Sequence, residues 1–431
     1  MKKVFTTVYE MRKFLTLWIG QSFSTLGSAM TAYALVIWSY GSKGSALMTA
    51  LLMVCSYAPY VMFSVFAGTL ADRWDKKGAL LICDSVAALC TVMVLVLLKR
   101  NALSLWHIYA VNAVEGLMNT VQQPASEVAV TKLLPRGYFQ KVGGLRYLSN
   151  ALNTLVTPAL ATAVMGLFEM EAVLWFDLGT FLFSTVTLLC LIQLPKEEEK
   201  TGGETFRSSV RSGLQWLREQ KGVLRLILFL AAINFVASLY NAAFPAMMLS
   251  REGGSERVMG IVNTAIGAAM LIGSVFASLC PPPRSRVRAI CNCLLFSMST
   301  ENLMLALGRN IWIWSVGGFL GWIAIPLMNA NLDAILRLKT PVSMQGRVYS
   351  VRNSLQFFTI PLGYLLGGVL VDYVFEPFMA SPAGRLPAVL FGGGKGSGAA
   401  LFFFVLAFLG VGVCLYFRRG EELWSLERED S

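Results

Sequence analysis

GALLICDSVAALCTVMVLVLL, residues 78–98, contains a single charged side chain, Asp84. About 20 largely apolar residues in a helix rising 1.5 Å per residue cross the ~30 Å of hydrocarbon in a bilayer, so this stretch reads as a membrane-spanning helix. Working outward, five more stretches meet the same test before a polar interruption, at 14–40, 44–71, 104–124, 142–167 and 173–194. Six follow it, at 223–248, 258–280, 288–307, 311–336, 348–373 and 399–417. Strands of a membrane barrel would alternate apolar and polar residues, and these runs do not. The expected fold class is an all-α membrane protein with twelve transmembrane helices.

Composition agrees. The chain is 55% hydrophobic and 14% charged, with a mean hydropathy of +0.60, whereas soluble domains carry about 25% charged residues. One His in 431 residues argues against a His-based metal site or a His general base. Eight Cys lie in or beside apolar runs without a C-x-x-C pair, and Cys291 and Cys293, two apart, would point to different helix faces. They are expected to be reduced packing residues. The first apolar run is long and lacks a small-residue cleavage site, so no signal peptide is expected. Neither cofactor nor metal is expected, and no catalytic residue: no intramembrane Ser/His or His/Glu set is present to support an enzyme.

The basic residues orient the chain. With the N-terminus inside, 28 of the 36 Lys and Arg fall in internal segments, among them Lys2, Lys3, Arg12 and Lys13 at the start and Arg284, Arg286 and Arg288 between spans eight and nine. The positive-inside rule then places both termini in the cytoplasm of a multi-pass protein of the cell (inner or plasma) membrane. The net charge of +11 therefore reflects topology and lipid contact, and nucleic acid is not an expected partner. The expected domains are a six-helix bundle at 1–194, a cytoplasmic linker at 195–222 beginning near PKEEEK, a second six-helix bundle at 223–418 and a cytoplasmic tail at 419–431. GGGKGSG, residues 392–398, matches neither the spacing nor the strand–turn–helix setting of a phosphate loop and reads as a flexible turn. With no ATP-binding motif read in the chain, any work it does across the membrane is expected to draw on a gradient, unless a separate ATPase subunit exists.

The halves align at an offset of 206 residues: Glu127 matches Asp333, Pro135 matches Pro341, Lys141 matches Arg347, Val142 matches Val348 and Arg146 matches Arg352. Two pseudo-symmetric six-helix bundles are how major facilitator transporters are built, with substrate bound between the halves. Glu127, Asp333, Arg146 and Arg352 are read as an inner gate, paired when closed. The alternative is static ion pairing at a wet surface, worth about 0–1 kcal/mol.

Gly68-Thr-Leu-Ala-Asp72-Arg73-Trp-Asp-Lys76-Lys77 resembles the loop signature of the major facilitator superfamily between its second and third spans. The resemblance implies that Asp72 faces the start of span eleven, near Met344–Val348, where a helix N-terminus favours an anion, and helps hold one conformation. Gly273-Ser-Val-Phe-Ala277 in the second half has no acid, so this latch is one-sided. LWIGQSFSTLGSAM in span one, with GRVYSVRNSLQF and PLGYLLGG in span eleven, is similar to the macrolide-efflux-like and enterobactin-exporter-like branch. Thr157-Pro158-Ala159 departs from the glycine-rich antiporter signature of span five, while Pro361, Gly363, Gly367 and Gly368 supply glycines in span eleven. Proton antiport is an expectation carried by the resemblance.

Spans one, four, seven and ten line the cavity in that family. Here each carries polar residues at helical spacing: Gln21, Ser24, Ser28 and Thr31; Asn112, Asn119 and Gln122 with Glu115; Asn234, Ser238 and Asn241; Trp322 and Asn329 with Asp333. They could instead bond neighbouring helices. Glu115, near the middle of span four, is the proton-coupling candidate, since a charged acid at that depth costs at least about 2.5–3.5 kcal/mol. Tyr33, Phe235, Tyr240 and Phe244 could add aromatic walls. Asp84 and Glu301 read as structural, Asp84 as a partner of Arg146; Asp177 and His107 read as interfacial. The expected function is efflux of hydrophobic or amphipathic small molecules by a secondary transporter, expected to be monomeric and to exchange substrate for protons. A dedicated metabolite or siderophore exporter and a non-transporting membrane receptor are the alternatives.

Overall fold

The computed structural model describes residues 2–73, 76–133, 139–191, 206–341 and 345–428. Helices dominate, and no strand occurs among the described residues. Nine stretches among them are apolar and long enough to cross a bilayer. One of these, Leu152–Cys190, lies within α5 (Phe139–Leu191) and holds two crossings, because α5 is broken at Glu169, where φ is 66° and ψ 179°. The remaining crossings are α1 (Lys2–Lys43) and α4 (Leu105–Leu133). Both are long helices whose polar residues lower their hydropathy. The total is the twelve expected from the sequence.

The second half contains α7 (Lys221–Ser250), α8 (Glu256–Leu279), α9 (Arg286–Leu307), α10 (Ile311–Ile323), α11 (Ile325–Lys339), α12 (Gln345–Phe357), α13 (Thr359–Leu370) and α16 (Ser397–Arg418). Span ten combines α10 and α11, and span eleven combines α12 and α13, with the joining residues Ala324 and Phe358 themselves in the right-handed helical region. Shifted by 206 residues, the start of α4 at Leu105 lands on Ile311, the start of α10, so the offset found in the sequence recurs in the structure. In the first half α2 covers Ala46–Arg73.

The chain forms two compact units, Met1–Leu35 with Cys55–Gly203, and Val36–Val54 with Glu204–Ser431. In the first, Leu17, Leu80, Cys83, Ala125 and Leu188 pack into a core. In the second, Leu226, Ile227, Phe229, Leu294, Leu332 and Val348 do so. Two short amphipathic helices close onto that second core, α6 (Phe206–Glu219) through Leu217 and α17 (Glu421–Arg428) through Leu423 and Leu426. Glu427 of α17 also caps α9, accepting from Ser285 Oγ at 2.9 Å and Val287 N at 2.8 Å.

Asp372 serves α2 in the same way. It lies in a π-helical turn, Val371–Phe375, and accepts from Ser45 Oγ at 2.5 Å, Ala46 N at 3.0 Å and Leu47 N at 2.9 Å. The GGGKGSG stretch bends through positive φ at Gly392, Gly394 and Gly396. It is fastened by Glu376, the first residue of α14 (Glu376–Ala380), which accepts from Gly396 N at 3.0 Å and Ala399 N at 3.1 Å. Its glycines thus make a turn that opens α16, as the absence of a phosphate-loop context implied.

Candidate functional site

In the first unit, spans one, three, four and six surround a cavity of about 210 Å³. Gln21, Ser24 and Thr25 line it from α1, Asp84 from α3 (Lys76–Lys99), Asn119, Gln122, Gln123 and Ser126 from α4, and Ser184 from α5. The polar face read from the sequence on α4 thus meets part of the one read on α1. Gln122 Nε2 donates to Asp84 Oδ1 at 2.6 Å, and Ser126 Oγ to Gln21 Oε1 at 3.3 Å. Asp84 thus accepts from a neutral amide on α4 and lines the cavity; Arg146, its expected partner, lies outside the residues whose side chains are described.

The other residues of those two stripes face elsewhere. Ser28 Oγ donates to Asp177 Oδ1 at 3.1 Å, and Thr31 Oγ1 to Asp177 Oδ2 at 3.0 Å. Thr91 Oγ1 on α3 donates to the same Oδ2 at 2.9 Å. Asp177, 4% exposed, is therefore buried between helices; the interfacial placement expected from its position near the start of span six is overturned. Glu115 is half-buried on α4 and lies within electrostatic range of Asp177 and Cys90. The first unit so holds three carboxyls, Asp84, Glu115 and Asp177, at bilayer depth. Asn112 does not join them: its Nδ2 donates back to Ile108 O at 2.9 Å.

The stripes of the second unit are used for packing as well. Asn234 Nδ2 donates to Gln356 O at 3.3 Å, and the buried Ser238 donates to Asn234 O at 2.7 Å. Asn241 and Asn329 are exposed. Trp322 Nε1 donates to Glu301 Oε1 at 2.9 Å. Tyr240 and Phe244 stack with ring centres 5.5 Å apart, and Phe403 meets Tyr240 edge-on at 5.1 Å, so these rings are core. Trp106, 79% exposed, stands beside His107, whose Nδ1 is 2.8 Å from Ser104 Oγ.

Of the expected gate, Arg352 Nη1 lies 4.0 Å from Asp333 Oδ1 and Arg352 Nε donates to Gln356 Oε1 at 3.2 Å. Lys77 Nζ donates to Leu189 O at 3.1 Å. Gly68, Asp72, Arg73, Lys76, Glu127 and Arg146 lie outside the residues whose side chains are described.

The comparisons now bear on this arrangement. Residues 17–300 match the profile of the Major Facilitator Superfamily. The chain belongs to that superfamily. It is 23% identical over 367 residues to macrolide efflux protein A of Streptococcus pyogenes, covering 84% of this chain and 90% of that one. It is 22% identical over 314 residues to the enterobactin exporter EntS of Salmonella choleraesuis, covering 70% of this chain and 72% of that one. Among solved structures, the nucleoside transporter NupG superposes with a TM-score of 0.68 over 94% of this chain and 98% of its own, at 11% identity. The resemblance read from the loop after span two and from spans one and eleven is thereby borne out, and the chain is a multi-span membrane transporter of that family. Proteins of this family carry small-molecule substrates.

Proposed function

We propose that this transporter exports hydrophobic or amphipathic small molecules, drug-like or macrolide-like in size and character, in exchange for protons by alternating access. It works as a monomer in the cell membrane with both termini cytoplasmic. One observation carries the proton part: Glu115 is held at bilayer depth beside the buried Asp177. A carboxylate on a spanning helix is costly as an anion, so Glu115 can take up and release a proton as the site changes its access to water. The substrate class is supported by the likeness to macrolide efflux protein A. The polar cavity beside Asp84, with Gln21, Ser24, Asn119 and Gln122 on its wall, offers hydrogen bonds that orient a ligand.

That polar lining also favours a second reading, export of one dedicated metabolite or siderophore, the likeness to the enterobactin exporter being its other support. Efflux of fluorescent amphipathic dyes from energised cells separates the two. With broad proton-coupled export, wild type extrudes several dyes, a protonophore stops it, and Glu115→Gln slows it by about tenfold or more. No dye movement by protein that reaches the membrane would sink broad export and leave the dedicated substrate.

A further inference from the structure

Glu301, in α9 of the second unit, is 4% exposed. Its Oε1 accepts from Tyr240 Oη of α7 at 2.7 Å and from Trp322 Nε1 of α10 at 2.9 Å. Both donors thus converge on one oxygen. Oε2 lies against α10 at Gly321, where an added Cβ would come within 2.6 Å of Oε2 and 2.5 Å of the Glu301 Cβ. Only a glycine lets the carboxyl sit there.

The repeat gives that glycine its meaning. At the offset of 206 residues that carries α4 onto α10 and α11, Gly321 is the counterpart of Glu115. The first unit carries its carboxyl on span four. The second removes the side chain from the matching position of span ten and fills the space with a carboxyl from span nine. Each half therefore presents an acid at the same place in its repeat, by a different route.

A permanently ionised carboxylate deep in the protein is normally paired with a cation. Among the described residues none acts on Glu301: the groups facing it are the phenol of Tyr240 and the indole of Trp322. Arg251 is fixed at the end of α9, donating to Leu305 O at 2.9 Å and Ala306 O at 3.0 Å, and the charge that acts on it is Arg309. The helices α11 and α16 along α9, and α15 (Arg385–Phe391) and α17 toward its ends, bring no ionisable group to the carboxyl. The two hydrogen bonds suit both protonation states, because a protonated carboxyl bearing its hydrogen on Oε2 still accepts through Oε1.

We propose that Glu301 is a second proton-exchanging carboxyl of the transport cycle, taking up and releasing H⁺ at Oε2, and that Tyr240 and Trp322 convey its state to spans seven and ten. Trp322 lies on span ten and Tyr240 on span seven, so both spans are bonded to the one carboxyl. A stronger acceptor holds both donors tightly when the group is ionised; protonation loosens them. The role rests on the proton-coupled reading above.

The test uses the full chain in liposomes and two readouts. Infrared difference spectra recorded across a pH titration should contain a protonated-carboxyl band that Glu301→Gln removes, Glu115→Gln leaves, and Tyr240→Phe shifts. In dye transport, Glu301→Gln should lower proton-driven accumulation by about tenfold while counterflow of dye against dye persists. A titration identical in wild type and Glu301→Gln would overturn the proposal. So would equal loss of counterflow and driven transport, the mark of a purely structural acid. If wild type moves no dye, the export reading fails, and the infrared band alone decides whether Glu301 exchanges its proton.

Discussion

Asp177 gathers three hydroxyl donors from two other helices, Ser28 and Thr31 on α1 and Thr91 on α3. Removing an acceptor strands buried donors, each at about 1–3 kcal/mol. Asp177→Ala should therefore lower the melting temperature of the detergent-purified protein markedly, and Thr91→Val, which removes one donor from an already doubly bonded oxygen, by much less. Equal melting of Asp177→Ala and wild type would show that the cluster contributes nothing. Asp177→Asn separates stability from transport: the amide keeps an acceptor and fixes its proton, so folding should survive while proton-driven export falls. None of this was legible in span six, where Asp177 stands alone. Its donors lie 146, 149 and 86 residues away, and helical periodicity tells which residues share a face without telling which helix that face will meet. Ser28 and Thr31 consequently read as cavity wall when they are bonded to Asp177. Gln21, Ser24, Asn119 and Gln122, one or two turns away on the same stripes, do line the cavity.

At the scale of elements, the bilayer made the helices readable, because a spanning backbone must satisfy its own hydrogen bonds and announces itself by apolar length. Helix ends were less readable, since their unpaired N–H groups are met by acceptors distant in sequence. Asp372 closes the start of α2 from 325 to 327 residues away, and Glu427 closes α9 from 140 to 142 residues away. Close packing reinforces the first of these: a Cβ on Gly368 would meet Leu47 Cα at 2.6 Å. Asp372→Ala should cost about 1–2 kcal/mol by analogy with lost helix caps, and its signature should be local. Amide exchange ought to accelerate at Ala46, Leu47 and Met48 and stay unchanged in α9. Uniform acceleration along the chain would mean that Asp372 supports the fold generally and does not act as the cap of one helix.

On the scale of the whole molecule, a repeat seen in a handful of residues around spans four and five also relates the helix starts at Leu105 and Ile311. Yet the repeat does not copy chemistry, as Glu115 and Gly321 illustrate. Compact units follow neither half strictly, with Val36–Val54 belonging to the second unit, and no pattern along the chain marks that exchange. Charge asymmetry is a property of the molecule in its membrane, and it supports the last prediction. If the 28 of 36 basic residues assigned to internal segments from the sequence do face the cytoplasm, reversal of the bundle is expensive, because each Lys or Arg near a span end resists translocation. A fluorescent protein that folds only in the cytoplasm, fused after Arg419, should light up, whereas a periplasm-dependent phosphatase inserted at Gly393 should be active. Exchanging Arg73, Lys76 and Lys77 together for Gln should leave both signals in place, since the remaining internal cations still outnumber the external ones about threefold. If that triple change inverted the reporters, the loop after span two alone would set orientation, and the distributed charge would be incidental.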